Sequence, residues 1–169
     1  MTIAELLADA FGRIGEVVHE AVDGLTPGQL ASRPDDRANS IAWLVWHLAR
    51  VQDDHVADAA GTDQVWTSAG WAERFGLPFE ASATGYGHDP AEVAAVLVGS
   101  GELLSGYYDA VCRQTISYVG KLSDPDLDRI VDERWDPPVS LGVRLVSVIS
   151  DDLQHAGQAA YLRGLIERG

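Results

Sequence analysis

The sequence predicts an all-α fold, a bundle of four long helices with one long crossover loop. Three observations predict it. Apolar residues recur at helical spacing along four long stretches. No stretch alternates with the period of two that a half-buried strand needs. Between the second and third of these stretches, residues 61–88 break the pattern with glycines and aromatic residues. A chain of 169 residues suffices for one domain, residues 1–169, with a substantial core.

Thr2 followed by Glu5 is a capping-box pattern that opens the first helix. Ile3, Leu6, Leu7, Ala10, Phe11, Ile14, Val17, Val18, Ala21 and Leu25 keep its periodicity, and Gly24 marks its end. Thr26-Pro27 reads as the cap and first residue of a short helical turn, and 33–38 reads as loop. Asn39 or Ser40 caps the second long helix, which should run to Ala60. Its apolar residues are Ile41, Leu44, Val45, Leu48, Val51 and Val56; Trp43 and Trp46 widen that surface, so burial on more than one side is expected.

Within the crossover, one short helix is expected at 71–75. Trp66, Trp71 and Tyr86 either cover a site or pack on the bundle. Asp89-Pro90 opens the third long helix. Val93, Val96, Leu97, Leu104, Tyr107, Tyr108, Val111, Tyr118 and Leu122 carry it onward, with Gly99 and Gly101 as candidate kinks. Asp124-Pro125 falls in the next turn. Trp135-Asp136-Pro137-Pro138 makes a stiff connector, because neither proline can donate a backbone hydrogen bond. Ser140 caps the last helix, whose apolar side carries Leu141, Leu145, Val148, Ile149, Leu153, Ala156, Ala159, Leu162 and Ile166.

A net charge of −14 offers no basic face for nucleic acid or an anionic membrane. Charges interrupt every apolar run before the roughly 18 residues a membrane span requires. The N-terminus has no basic segment ahead of an apolar run, so no signal peptide is expected. The lone Cys112 excludes an intramolecular disulfide and a cysteine-rich zinc site; it fits a reducing, cytoplasmic setting and reads as a small core residue.

The chemical signal is a set of polar residues inside apolar helical runs. His47 sits one turn from Leu44 and Val51, and Asp151, Asp152 and His155 interrupt the last helix. A buried charge is costly unless it is paired or metal-bound. Asp151 and His155, four residues apart, share one face of a helix. A ligand from a facing helix, best supplied by His47, would complete a set that leaves positions open for water or substrate. Imidazole and carboxylate donors suit Zn, Ni, Fe or Mn. The same spacing also fits a hydrogen-bonded polar pair, and Asp152, three residues before His155, competes with Asp151 as the carboxylate ligand. Among the remaining polar residues, Asp54 is a candidate to hold a ligand imidazole. His55 lies two turns beyond His47. His88 either faces the pocket or caps a turn. Arg144 either receives a substrate carboxylate or makes a surface salt bridge. His19 falls off its apolar stripe and reads as solvated.

The segment Ser40-Ile41-Ala42-Trp43-Leu44-Val45-Trp46-His47-Leu48-Ala49 resembles the second-helix signature of the DinB/YfiT-like metalloproteins. Asp151-Asp152-Leu153-Gln154-His155-Ala156-Gly157-Gln158 resembles their fourth-helix signature, and Leu25-Thr26-Pro27-Gly28-Gln29-Leu30 their inter-helix turn. The resemblance implies an antiparallel four-helix bundle whose ligands are His47, Asp151 and His155. Many members have histidine where this chain has Asp151. A carboxylate there is similar to the mycothiol-dependent maleylpyruvate isomerase branch, which uses a His, Glu, His set.

The resemblance further implies a metal-dependent S-transferase or isomerase that uses a low-molecular-weight thiol, with mycothiol as that thiol in the actinobacterial branch. A small-molecule substrate is its other partner. A cation in an open site lowers the pKa of a thiol or water and makes a nucleophile at neutral pH. The three ligands are then not acid–base groups, and the nucleophile is the activated thiol or water. Water in that role would make a metal-dependent hydrolase. A metal that only staples the helices of a stress-related binding protein is the non-catalytic alternative. A homodimer through apolar helix faces is also expected.

Overall fold

The structure, a computed structural model, describes residues 1–168. It is mostly helical. Helix α1 spans Ile3–Val22, and its capping box is formed: the Thr2 hydroxyl accepts from the Glu5 amide at 3.2 Å, and the Thr2 amide donates to the Glu5 carboxylate at 2.8 Å. Gly24 follows its end at φ +69°, where a side chain would be strained. Helix α2 spans Pro27–Ala31 behind the Thr26/Gln29 box. Helix α3 spans Ile41–Ala60; Ser40 caps it, and Gly61 at φ +67° closes it. The crossover carries α4, Val65–Ser68, α5, Trp71–Phe75, and α6, Pro90–Ala94. Helix α7 spans Gly101–Val119 and α8 spans Leu141–Ile166, with Ser140 as its cap. A 3₁₀ turn at Asp124–Asp128 leads into β1, Ile130–Asp132, which pairs antiparallel with β2, Val139–Ser140.

Two expectations are corrected. The third long helix does not run from Pro90; it stops at Ala94 and restarts at Gly101. In the gap Val96 and Val98 are buried while Leu97 is exposed, an extended alternation that a helix cannot give. Gly101 explains the restart. A Cβ there would lie 2.4 Å from the Val22 carbonyl oxygen, so only glycine lets α7 begin directly against the end of α1. The second correction is the hairpin. Strands of three and two residues are too short to show a period of two, so the sequence reads only as a stiff connector where the structure has the turn of a ribbon.

The four long helices enclose the core. Helices α1 and α3 each pack against both α7 and α8. The first half of α3 is buried on every side: each residue from Ile41 to Arg50 is buried. Its fully covered Ile41, Leu44 and Leu48 are worth about 1.5–3 kcal/mol apiece by area removed from water. No helix among the described residues is long and apolar enough to cross a membrane.

Candidate metal centre

Helices α3 and α8 lie side by side, and their facing surfaces bring three of the predicted residues together. One donor atom each from His47, Asp151 and His155 falls within 4.8 Å of the others, a group that can hold a metal ion. The His47 and His155 ring centroids are 4.9 Å apart, and His155 Nε2 is 3.6 Å from Asp151 Oδ1. Asp151 Oδ2 is buried without a hydrogen-bond partner.

Outward contacts fix how the imidazoles point. His47 Nδ1 lies 2.5 Å from the Thr84 carbonyl oxygen, which can only accept. The proton therefore sits on Nδ1, and Nε2 keeps its lone pair. His155 Nδ1 lies 3.0 Å from Gln158 Oε1, so its other nitrogen, Nε2, is the one turned toward Asp151. Burial pushes the His47 pKa below its ordinary value, the Thr84 contact works against this, and neighbouring His155 lowers it further. A neutral imidazole with a free Nε2 is the ligating form.

An aromatic layer backs the group. Trp43 stacks on His47 with centroids 4.5 Å apart and 16° between planes, and meets His155 nearly at right angles at 6.0 Å. Trp43 Nε1–H donates to His88 Nδ1 at 3.2 Å, and His88 is packed against Trp46 and Phe79. His88 thus supports Trp43 from behind. Gly85 sits at φ +92°, and a Cβ there would lie 2.8 Å from His47 Nδ1, so the crossover backbone presses directly on the His47 ring.

Asp152 turns the other way. It is completely buried on the side of Tyr108 and Cys112, and neither carboxylate oxygen has a partner. Burial pushes its pKa well above the carboxylate range, and Asp151 adds to the shift. One step along a helix rotates a side chain by about 100°, which separates the two neighbours.

A cavity of about 590 Å³ opens beside His47 and Asp151. Asp54, His55 and Arg144 line it. Asp54 accepts from Gln64 at 2.8 Å and holds neither His47 nor His155; Thr84 and Gln158 contact those rings instead. Arg144 is only 15 % exposed. It donates to Asp132 at 2.8 Å and lies 3.3 Å from the His55 ring. Burial and this guanidinium both push the His55 pKa down. Arg134 forks onto the same Asp132 with two bonds of 2.9 Å. The Arg134 contact first, then Arg144, holds the Asp132 carboxyl well below its usual range. His19 lies away from this cavity and bonds Asp109 at 2.8 Å.

Several contributors were not singled out by the sequence. Thr84 acts through its backbone. Asp132 and Arg134 come from a hairpin that the sequence does not reveal. Gln158 stands three residues after His155, one turn along a helix, and that spacing was the available clue. Arg50 and Asp53 are a buried pair 3.6 Å apart that ties down the crossover. Asp53 accepts from the Val65 and Trp66 amides and from Tyr107, and Arg50 donates to the Ala83 carbonyl beside Thr84.

A family model, Mycothiol-S-transferase, matches residues 6–168. The chain belongs to the mycothiol-S-transferase family. A solved structure titled as the conserved protein of locus from Enterococcus faecalis shares this fold, with a TM-score of 0.92 and 33% identity. The similarity covers 100% of this chain and 99% of that one. No protein of curated function matches the chain. Family membership agrees with the DinB-like resemblance, and the family's name points to a thiol and a small molecule as the reactants.

Proposed function

We propose that this mycothiol-S-transferase family member is a metal-dependent enzyme that joins a low-molecular-weight thiol of the mycothiol type to a small electrophile. In this reading the four long helices form the antiparallel bundle of DinB-like proteins, and His47, Asp151 and His155 hold one divalent ion. The observation that carries the proposal is the donor set: two imidazoles whose Nδ1 atoms are engaged outward, and a carboxylate oxygen left buried and unpartnered beside them. A bound divalent cation would supply Lewis acidity that lowers the pKa of a thiol. The protein's own share is positional. Thr84 and Gln158 hold the ligand rings, Trp43 walls off one side, and the cavity leaves room for two small reactants.

The test combines metal analysis with transfer of mycothiol to monochlorobimane. The purified protein should carry one divalent ion per chain and catalyse the transfer. Chelation should abolish turnover, and adding the ion back should restore it. His155→Ala should lose both ion and activity. Turnover that is indifferent to chelation, or a bound ion without thiol transfer, would overturn the proposal.

A further inference from the structure

The cavity beside the metal group has two aromatic side chains at its mouth that the reaction chemistry does not use. Tyr86 is 92 % exposed and Trp135 is 65 % exposed, yet both line the cavity that His47 and Asp151 also line. Leaving such large rings in water is unfavourable, so two of them at one opening point to a ligand. Neither ring lies against another aromatic ring among the described residues, whereas Trp43, Trp46, Trp66 and Trp71 all do.

Both rings stand on anchored backbone. Tyr86 sits between Gly85 at φ +92° and Gly87 at φ +77°. Gly85 is wedged against His47, Trp46 and Trp43, which turns the next side chain outward. Trp135 follows Arg134 in the hairpin, and Asp132 clamps that arginine and Arg144 together. Asp54, Arg134 and Arg144 line the same cavity and bring carboxylate and guanidinium groups to it. Stacking faces combined with carboxylate and guanidinium edges suit a polyhydroxylated ring. Such a ring has an apolar C–H face for stacking and hydroxyls around its rim.

We infer that Tyr86 and Trp135 form an aromatic mouth that takes the sugar–cyclitol end of the thiol co-substrate, so that its sulfur points toward His47, Asp151 and His155. This rests on the transferase reading, in which the thiol is mycothiol, an N-acetylcysteine joined to a glucosamine–inositol unit. The two aromatic residues then select this thiol over one without rings.

Calorimetric titration of the metal-loaded protein tests it with S-methylmycothiol, whose blocked sulfur cannot be transferred, and with ring-free N-acetyl-S-methylcysteine. The wild-type protein should bind the first at least about tenfold more tightly, the size expected of one good aromatic contact. Tyr86→Ala and Trp135→Ala should each shrink that preference several-fold, and Tyr86→Phe and Trp135→Phe, which keep a ring, should restore most of it. Equal binding of the two compounds by the wild-type protein, or an undiminished preference in both alanine variants, would overturn the inference. Transfer of mycothiol to monochlorobimane is scored separately. Preference without transfer sinks the transferase reading alone, and transfer without preference sinks the aromatic mouth alone.

Discussion

At the scale of single residues, neighbouring Asp151 and Asp152 have opposite surroundings. Asp151 faces two imidazoles, and Asp152 faces the core with no partner for either oxygen. Spacing to His155 does not separate them, because i+3 and i+4 both lie near one helical face. Only the orientation of α8 against its neighbours decides. Asp151→Ala should weaken metal affinity by at least about tenfold, the scale on which lost support around a metal is felt. Asp152→Asn should keep the ion at the wild-type stoichiometry. Elemental analysis and chelator competition read both, and the reverse result would reassign the ligand. His47 and His155 stood out as polar interruptions of apolar runs. Their proton positions did not, since a backbone carbonyl at residue 84 leaves no trace in residue type.

At the scale of elements, two buried anchors hold the parts that the sequence left irregular. Asp53 receives the free amides at the start of α4 and pairs with Arg50, which in turn holds residue 83. Asp53→Ala strands a fully buried guanidinium, and breaking a buried pair in this way costs about 3–5 kcal/mol. Urea unfolding should show a loss of that size, together with weaker metal binding as Thr84 loosens. The hairpin depends on Asp132. Its carboxyl is held below the usual range by Arg134 and Arg144, so the folded state favours the charged form. That stability is present in full above the unfolded carboxyl pKa of about 3.9 and drains away as pH falls toward the lower folded value. Asp132→Asn should therefore lower Tm clearly at pH 7, and the difference from wild type should narrow steadily below about pH 4.

At the scale of the whole molecule, the four long helices, their caps and much of the core follow from local rules. Thr2, Thr26, Ser40 and Ser140 cap as their patterns predict, because capping is settled within four residues. The broken third helix escaped, since its cause is the Val22 backbone, 79 residues away, meeting Gly101. The ribbon escaped because five residues carry too little periodicity, and with it went Asp132 and Arg134 at the cavity wall. Hydrophobic period and capping chemistry are short-range, so residue order alone was enough to place helices and to mark His47 and the Asp151–His155 pair as out of place. Convergence of α3 on α8, the grouping of Asp151 rather than Asp152 with the two histidines, and the placing of Tyr86 and Trp135 along one cavity all depend on distances between segments far apart in the chain. Those distances come from burying several faces at once, which no local stretch encodes.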